Sequence, residues 1–152
     1  MKKILIYIFT LFIVATVAIY FLQNSNNKNI VVQKGNNLHK PLKVELNKSS
    51  CAFCAMSITE KTNTSQIISP DGKTWFFDDI GCMIKWLNSK NWKDKATIWV
   101  YSIDTNRWID AKKAFYGTHD KTAMHYGFGA REKKFDGAID FNEVKKRVLN
   151  GK

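Results

Sequence analysis

Cysteine is scarce and late in this chain: three residues among 152, none of them before Cys51. That leaves no lipid-attachment cysteine near the N-terminus. An odd count leaves at least one thiol outside any disulfide framework. Three are also too few to staple a mini-protein, so a hydrophobic core must supply most of the stability. Acidic residues are in short supply as well, 13 Asp and Glu against 24 Lys and Arg, for a net charge of +11. The lysines are scattered, apart from Lys112-Lys113, Lys133-Lys134 and Lys145-Lys146-Arg147. This pattern reads as a solvated basic surface, with attraction to anionic headgroups the next reading, and export argues against nucleic acid. Also missing are a phosphate-cradling glycine loop, a Ser-His-Asp pattern and a paired-carboxylate site. The chain is expected not to be an enzyme.

What is present begins with a long apolar run. Residues 4–22 carry no charge, and Lys2 and Lys3 precede them. As a helix, about 19 residues reach about 28 Å, close to the hydrocarbon thickness of a bilayer. The flanking lysines place the N-terminus in the cytoplasm and the remainder outside. Residues 1–22 are thus expected to be an uncleaved transmembrane anchor at the periplasmic face of the inner membrane, with a cleaved signal segment as the alternative. Residues 23–40, rich in Asn, Lys and Gln, are expected to form a flexible tether. Residues 41–152 are expected to fold as one domain.

Within that domain, residues 42–46 alternate as a strand does. Residues 51–54 form a tight knuckle. Residues 65–69 and 74–77 flank Pro70-Asp71-Gly72-Lys73 and predict a β-hairpin. Asp78 or Asp79 caps a helix over about residues 80–88, with Ile80, Met83, Ile84 and Leu87 at helical spacing. Residues 97–103 predict the clearest strand, and a turn at 104–107 leads into Trp108-Ile109. Residues 114–116 and 125–129 are expected to be extended. Residues 141–149 predict a short amphipathic helix with Val144 and Val148 on one side. The order implies an α+β fold with antiparallel pairing.

The chemistry concentrates in soft donors. Cys51-Ala-Phe-Cys54-Ala-Met56 places three within six residues, Cys82-Met83 follows, and Met124-His125 comes later. Thiolate and thioether together suit Cu(I), whereas zinc takes Cys and His readily and rarely Met. In an extended segment Cys54 and Met56 share a face, so both sulfurs can aim at one ion. A Cys-x-x-Cys can also be a disulfide, or a redox pair at a helix N-terminus. Met83 fits the apolar stripe, Cys82 is either ligand or buried packing, and Asp79 is either N-cap or ligand. His39 and His119 are expected to face solvent.

Several of these segments together resemble the NosL family, the copper-binding accessory proteins of nitrous oxide reductase assembly. The resemblance rests on Cys54-Ala-Met56, Gln66-Ile67-Ile68, Trp75-Phe76-Phe77-Asp78-Asp79, Trp108-Ile109-Asp110-Ala111-Lys112-Lys113-Ala114-Phe115-Tyr116 and Met124. It covers most of residues 45–143. It implies a monomeric Cu(I) metallochaperone built from ββαβ-type units similar to the organomercurial lyase MerB, with an apo copper enzyme, nitrous oxide reductase, as partner. It points to Cys54, Met56 and Met124 as ligands, with Asp79 a recurrent carboxylate. This chain departs from the family by adding Cys51 and Cys82, by placing His125 where a glycine is frequent, and by lacking an anchor cysteine. The candidate metal residues are therefore Cys51, Cys54, Met56, Asp79, Cys82, Met124 and His125. Two other functions stay open: a thiol-disulfide reductant for copper-site assembly, and a zinc-knuckle binding module.

Overall fold

A computed structural model describes residues 2–25 and 29–151. It is a mixed α/β structure with an antiparallel sheet and three α-helices. Helix α1 spans Lys2–Ser25, followed by strand β1 (Val32–Gln33). The hairpin strands β2 (Ser65–Ile68) and β3 (Thr74–Phe77) lead into α2 (Ile80–Asn88). Next come β4 (Thr97–Tyr101), β5 (Trp108–Asp110), β6 (Phe115–Tyr116), β7 (Ala130–Arg131) and α3 (Phe141–Leu149). The main sheet is five-stranded in the order β1-β3-β2-β4-β5, and β6 pairs with β7 separately.

The hairpin forms where the sequence placed it, because Gly72 at φ +75 closes the turn at little steric cost. The order β2-β3-α2-β4 gives the expected ββαβ arrangement, with β4 returning antiparallel beside β2. The register sorts the sheet into two faces. Ile67 opposes Trp75 and Ile98, and Val100 opposes Ile109, so these residues share one face. That face packs against Ile80, Met83, Ile84 and Leu87 of α2 and Phe141, Val144 and Val148 of α3. Met83 is fully buried there, as its place in the apolar stripe implied; a side chain of this kind contributes roughly 1.5–3 kcal/mol on burial. Gln66, Phe76 and Trp99 share the opposite face, where Phe76 packs with Val44 and Ile58.

Several expectations need correction. Residues 42–46 do not join the sheet. Leu42 instead uses the buried Gln66 carboxamide as a substitute strand: Leu42 N–H donates to Oε1 at 2.9 Å, and Nε2 donates to Leu42 C=O at 2.7 Å. Val32–Gln33 falls inside the stretch expected to be a tether, yet it pairs with Trp75 and Thr74. His39 does not simply face solvent, because its Nδ1 lies 3.2 Å from Thr97 Oγ1 and its carbonyl accepts from Trp99 Nε1 at 3.0 Å. Strand β4 stops at Tyr101, short of the expected residue 103, because the turn that Asn106 N–H closes onto Ser102 C=O begins there. Residues 125–129 form no strand, and the late strand falls at Ala130–Arg131 instead.

Helix α1 coincides with the apolar run, and Phe9, Leu11, Phe12 and Val14 are 66–75 % exposed along it. Among the residues whose side chains are described, no helix is long and apolar enough to cross a membrane. The structure thus supplies the expected helix without establishing the expected span.

The Gln66 clasp can be tested. Gln66→Leu keeps the side chain large but leaves the Leu42 amide and carbonyl without partners. The expected cost is about 1–3 kcal/mol, read as a lower midpoint in chemical denaturation with an unchanged slope.

Candidate metal centre

The knuckle is built first by its backbone. Ser50 and Ser57 form an antiparallel bridge. Inside it, Cys51 N–H donates to Met56 C=O at 2.8 Å, and Ala55 N–H donates to Cys51 C=O at 3.0 Å. Ala55 is left-handed, at φ +63, a conformation costly for a residue with a Cβ. One further bond, Ala52 N–H to Phe76 C=O at 2.9 Å, fastens the knuckle to β3. Strand β3 then runs into Asp78 and the first turn of α2, which carries Cys82.

These connections gather four donors. One ligand atom each from Cys51, Cys54, Asp78 and Cys82 lies within 4.8 Å of every other. All three cysteines are free thiols. For comparison, sulfurs about 2.3 Å from a tetrahedral ion would stand about 3.8 Å apart, so a modest contraction closes the group. Cys51, Asp78 and Cys82 are buried, while Cys54 is half-exposed. Cys54 Sγ donates to Asp78 Oδ2 at 3.2 Å. The other carboxylate oxygen, Oδ1, is buried without a hydrogen-bond partner. An orphaned oxygen beside three thiols is the arrangement a bound cation completes, and buried polar atoms rarely stay unpaired otherwise. The group can therefore hold a metal ion.

The electrostatics point the same way. The Cys82 side chain, together with the backbone amides of Cys54, Asp78 and Phe53, draws the Cys51 thiol down to about 7. Burial pushes Cys54 up to about 12, opposed by the amide of Met56. Cys82 is raised too, chiefly because Cys51 beside it takes the charge first. One thiolate forms readily here, and further ionisation needs a cation to offset mutual repulsion.

Of the residues expected to bind metal, the structure brings together Cys51, Cys54 and Cys82. Asp79 lies next to them but is engaged elsewhere. As N-cap it accepts from Gly81 N–H at 2.9 Å, and its second oxygen accepts from Met124 N–H at 3.2 Å. Burial raises its pKa. Met124 is half-buried at the rim of the core that Cys54 also borders. Met56 is 48 % exposed. The premise that put its sulfur on the same face as Cys54 was an extended backbone, and the left-handed Ala55 between them breaks that alternation. His125 is exposed, at φ +59, and does not belong to the four-donor group.

Asp78 is the residue that sequence reasoning did not place as a ligand. The signal was there: two adjacent aspartates precede one helix, and only one can cap it. The loop after Thr122 packs on the start of α2, where a Cβ on Gly81 would overlap the Tyr126 ring. Lys85 Nζ also stands 5.1 Å from that ring's centroid. Asp120 and Arg131 pair at 2.6 Å at the base of this loop.

No family model matches the chain, and no curated protein matches it.

Loading the group with metal must displace the protons held by Cys54 and Cys82. Apparent affinity should therefore rise with pH, by about tenfold per unit for each proton released. Competition titrations between about pH 6 and about pH 8 check this, and a flat profile would mean that the thiols do not ligate.

Proposed function

We propose that this protein is a Cu(I)-binding metallochaperone. The observation that carries the proposal is the meeting of three cysteine sulfurs at one site, with a carboxylate as the fourth donor. Sulfur-rich sites select soft ions, and Cu(I) is satisfied by thiolates alone. Partial exposure favours transfer over storage. Cys54 is half-exposed, and Phe53 and Met56 stand exposed beside it, so an incoming thiol or thioether can reach the ion.

The resemblance to the NosL family supports the finer parts of this reading. On that basis the ion is passed by ligand exchange to an apo copper enzyme, nitrous oxide reductase or a relative, outside the cytoplasm. Met124, whose N–H donates to Asp79, is the thioether that the resemblance adds to the ligand set. The exposed apolar side chains described along α1 support membrane attachment, since an apolar surface of that extent is covered by an apolar phase. The Asp78 oxygen favours a second reading, a zinc site of three sulfurs and one oxygen.

The deciding experiment offers copper and zinc together to the anaerobically purified protein. About one Cu(I) per chain is expected, in preference to zinc. Cys51→Ser, Cys54→Ser and Cys82→Ser should each weaken Cu(I) binding by at least about tenfold, the lower range seen even for partners outside the ligand shell. Asp78→Asn should weaken zinc more than copper. Zinc-only loading, or an equal loss of both metals in Asp78→Asn, would favour the zinc site. Catalytic dithiol exchange without stable metal binding would favour the reductant.

A further inference from the structure

Away from the metal centre, the core ends in a cluster of aromatic rings that it covers on one side only. Trp75 of β3, Trp86 of α2 and Trp92 cluster together, with ring centroids 4.9 Å apart for Trp75–Trp86 and 5.6 Å for Trp75–Trp92. All three are only half-buried. They line a groove of about 440 Å³ with Pro70, Lys73 and Lys90. Lys90 Nζ stands 4.2 Å over the Trp86 ring. Asp71 is the one acidic residue in the lining, and Lys73 pairs with it at 2.5 Å, so Lys90 is left as the groove's uncompensated charge. Lys93, Asp94 and Lys95 follow Trp92, which adds one net positive charge beside the groove. Aromatic rings with a wet edge, bordered by lysines, match the chemistry of a bilayer interface with anionic headgroups.

Chain connectivity says which surface is within reach. Val32 of β1 is the register partner of Trp75, so it stands on the same sheet face, and it is 40 % exposed. Only six residues lie between Ser25, the end of the apolar helix α1, and Val32. An extended chain of that length spans at most about 25 Å. Whatever apolar phase covers α1 therefore lies within one short reach of the tryptophan groove.

We propose that the Trp75–Trp86–Trp92 groove docks on the headgroup layer of the membrane that holds α1. Docking there fixes the orientation of the domain, and with it the direction in which Cys54 faces. The inference rests on membrane attachment through α1, but not on the identity of the metal.

The tryptophans themselves supply the probe. None lies in α1, and all five fall at Trp75 or later. Trp99 and Trp108 lie on the opposite sheet face, which makes them internal controls. The full-length chain would be purified in detergent and reconstituted into vesicles of phosphatidylcholine with phosphatidylglycerol. Its fluorescence would then be read with lipids brominated near the headgroup end of the acyl chain. Quenching is expected, and it should weaken in phosphatidylcholine alone and in Lys90→Glu. Trp99→Phe with Trp108→Phe should keep the quenching, and Trp86→Phe with Trp92→Phe should lose most of it. A chain that floats with the vesicles but is not quenched would overturn the docking face and leave the attachment intact; a groove that holds a protein partner gives this result. Quenching that persists in the Trp86→Phe, Trp92→Phe protein would overturn it too. A chain that does not float with the vesicles would overturn attachment and docking together.

Discussion

A backbone hydrogen bond from Ala52 N–H to Phe76 C=O fastens the thiol-bearing knuckle to the sheet. The knuckle's own bonds and the Ser50–Ser57 bridge give it its shape, and the burial of Cys51 and the Cys54–Asp78 bond hold it in the same place. The knuckle thus lies against the end of β3, where the chain leaves the sheet and starts α2. Within seven residues, from Phe76 to Cys82, the chain supplies an anchor for the knuckle, a carboxylate for the site, a helix cap and the third thiol. The rest of the fold holds that junction still. The sheet fixes β3 from both sides, and α3 packs against the same core as α2.

The junction also sets the division of labour between the two aspartates. Asp79 spends both oxygens on backbone amides, one in α2 and one in the loop that carries Met124. Asp78 keeps one oxygen for Cys54 and leaves the other unpaired. The first is a structural clamp that couples the late loop to the helix start. The second is a donor held in reserve among thiols that cannot all ionise alone. Side chains adjacent in sequence thus serve different ends because a helix N-terminus claims only one of them.

How much of this could be read beforehand follows the range of the interactions. The hairpin, α2 and α3 were legible because their signals are local: a Pro-Asp-Gly turn, an aspartate cap, and apolar residues at helical spacing. Residues 42–46 misled because their alternation is real while their partner is a side chain, Gln66, distant in sequence. The two-residue β1 was hidden in an Asn-rich stretch because its register comes from β3 and not from its own propensity. At the site, Cys-x-x-Cys declared the knuckle, but only tertiary packing brings in Cys82. The expected alignment of Cys54 with Met56 failed on one torsion, the left-handed Ala55, which no composition or spacing announces.

Strand β1 has a consequence of another kind. It lies at one edge of the sheet and covers the outer side of β3. An uncovered edge offers unpaired amides and carbonyls to any other extended chain. Here that edge would also present Trp75. A cut that removed the chain through Gln33 would leave a folded core whose bare β3 could pair with the same edge of a second molecule. The short segment after the apolar helix thus acts as a guard against self-association, and a truncation meant to make the protein more soluble would have to begin before it.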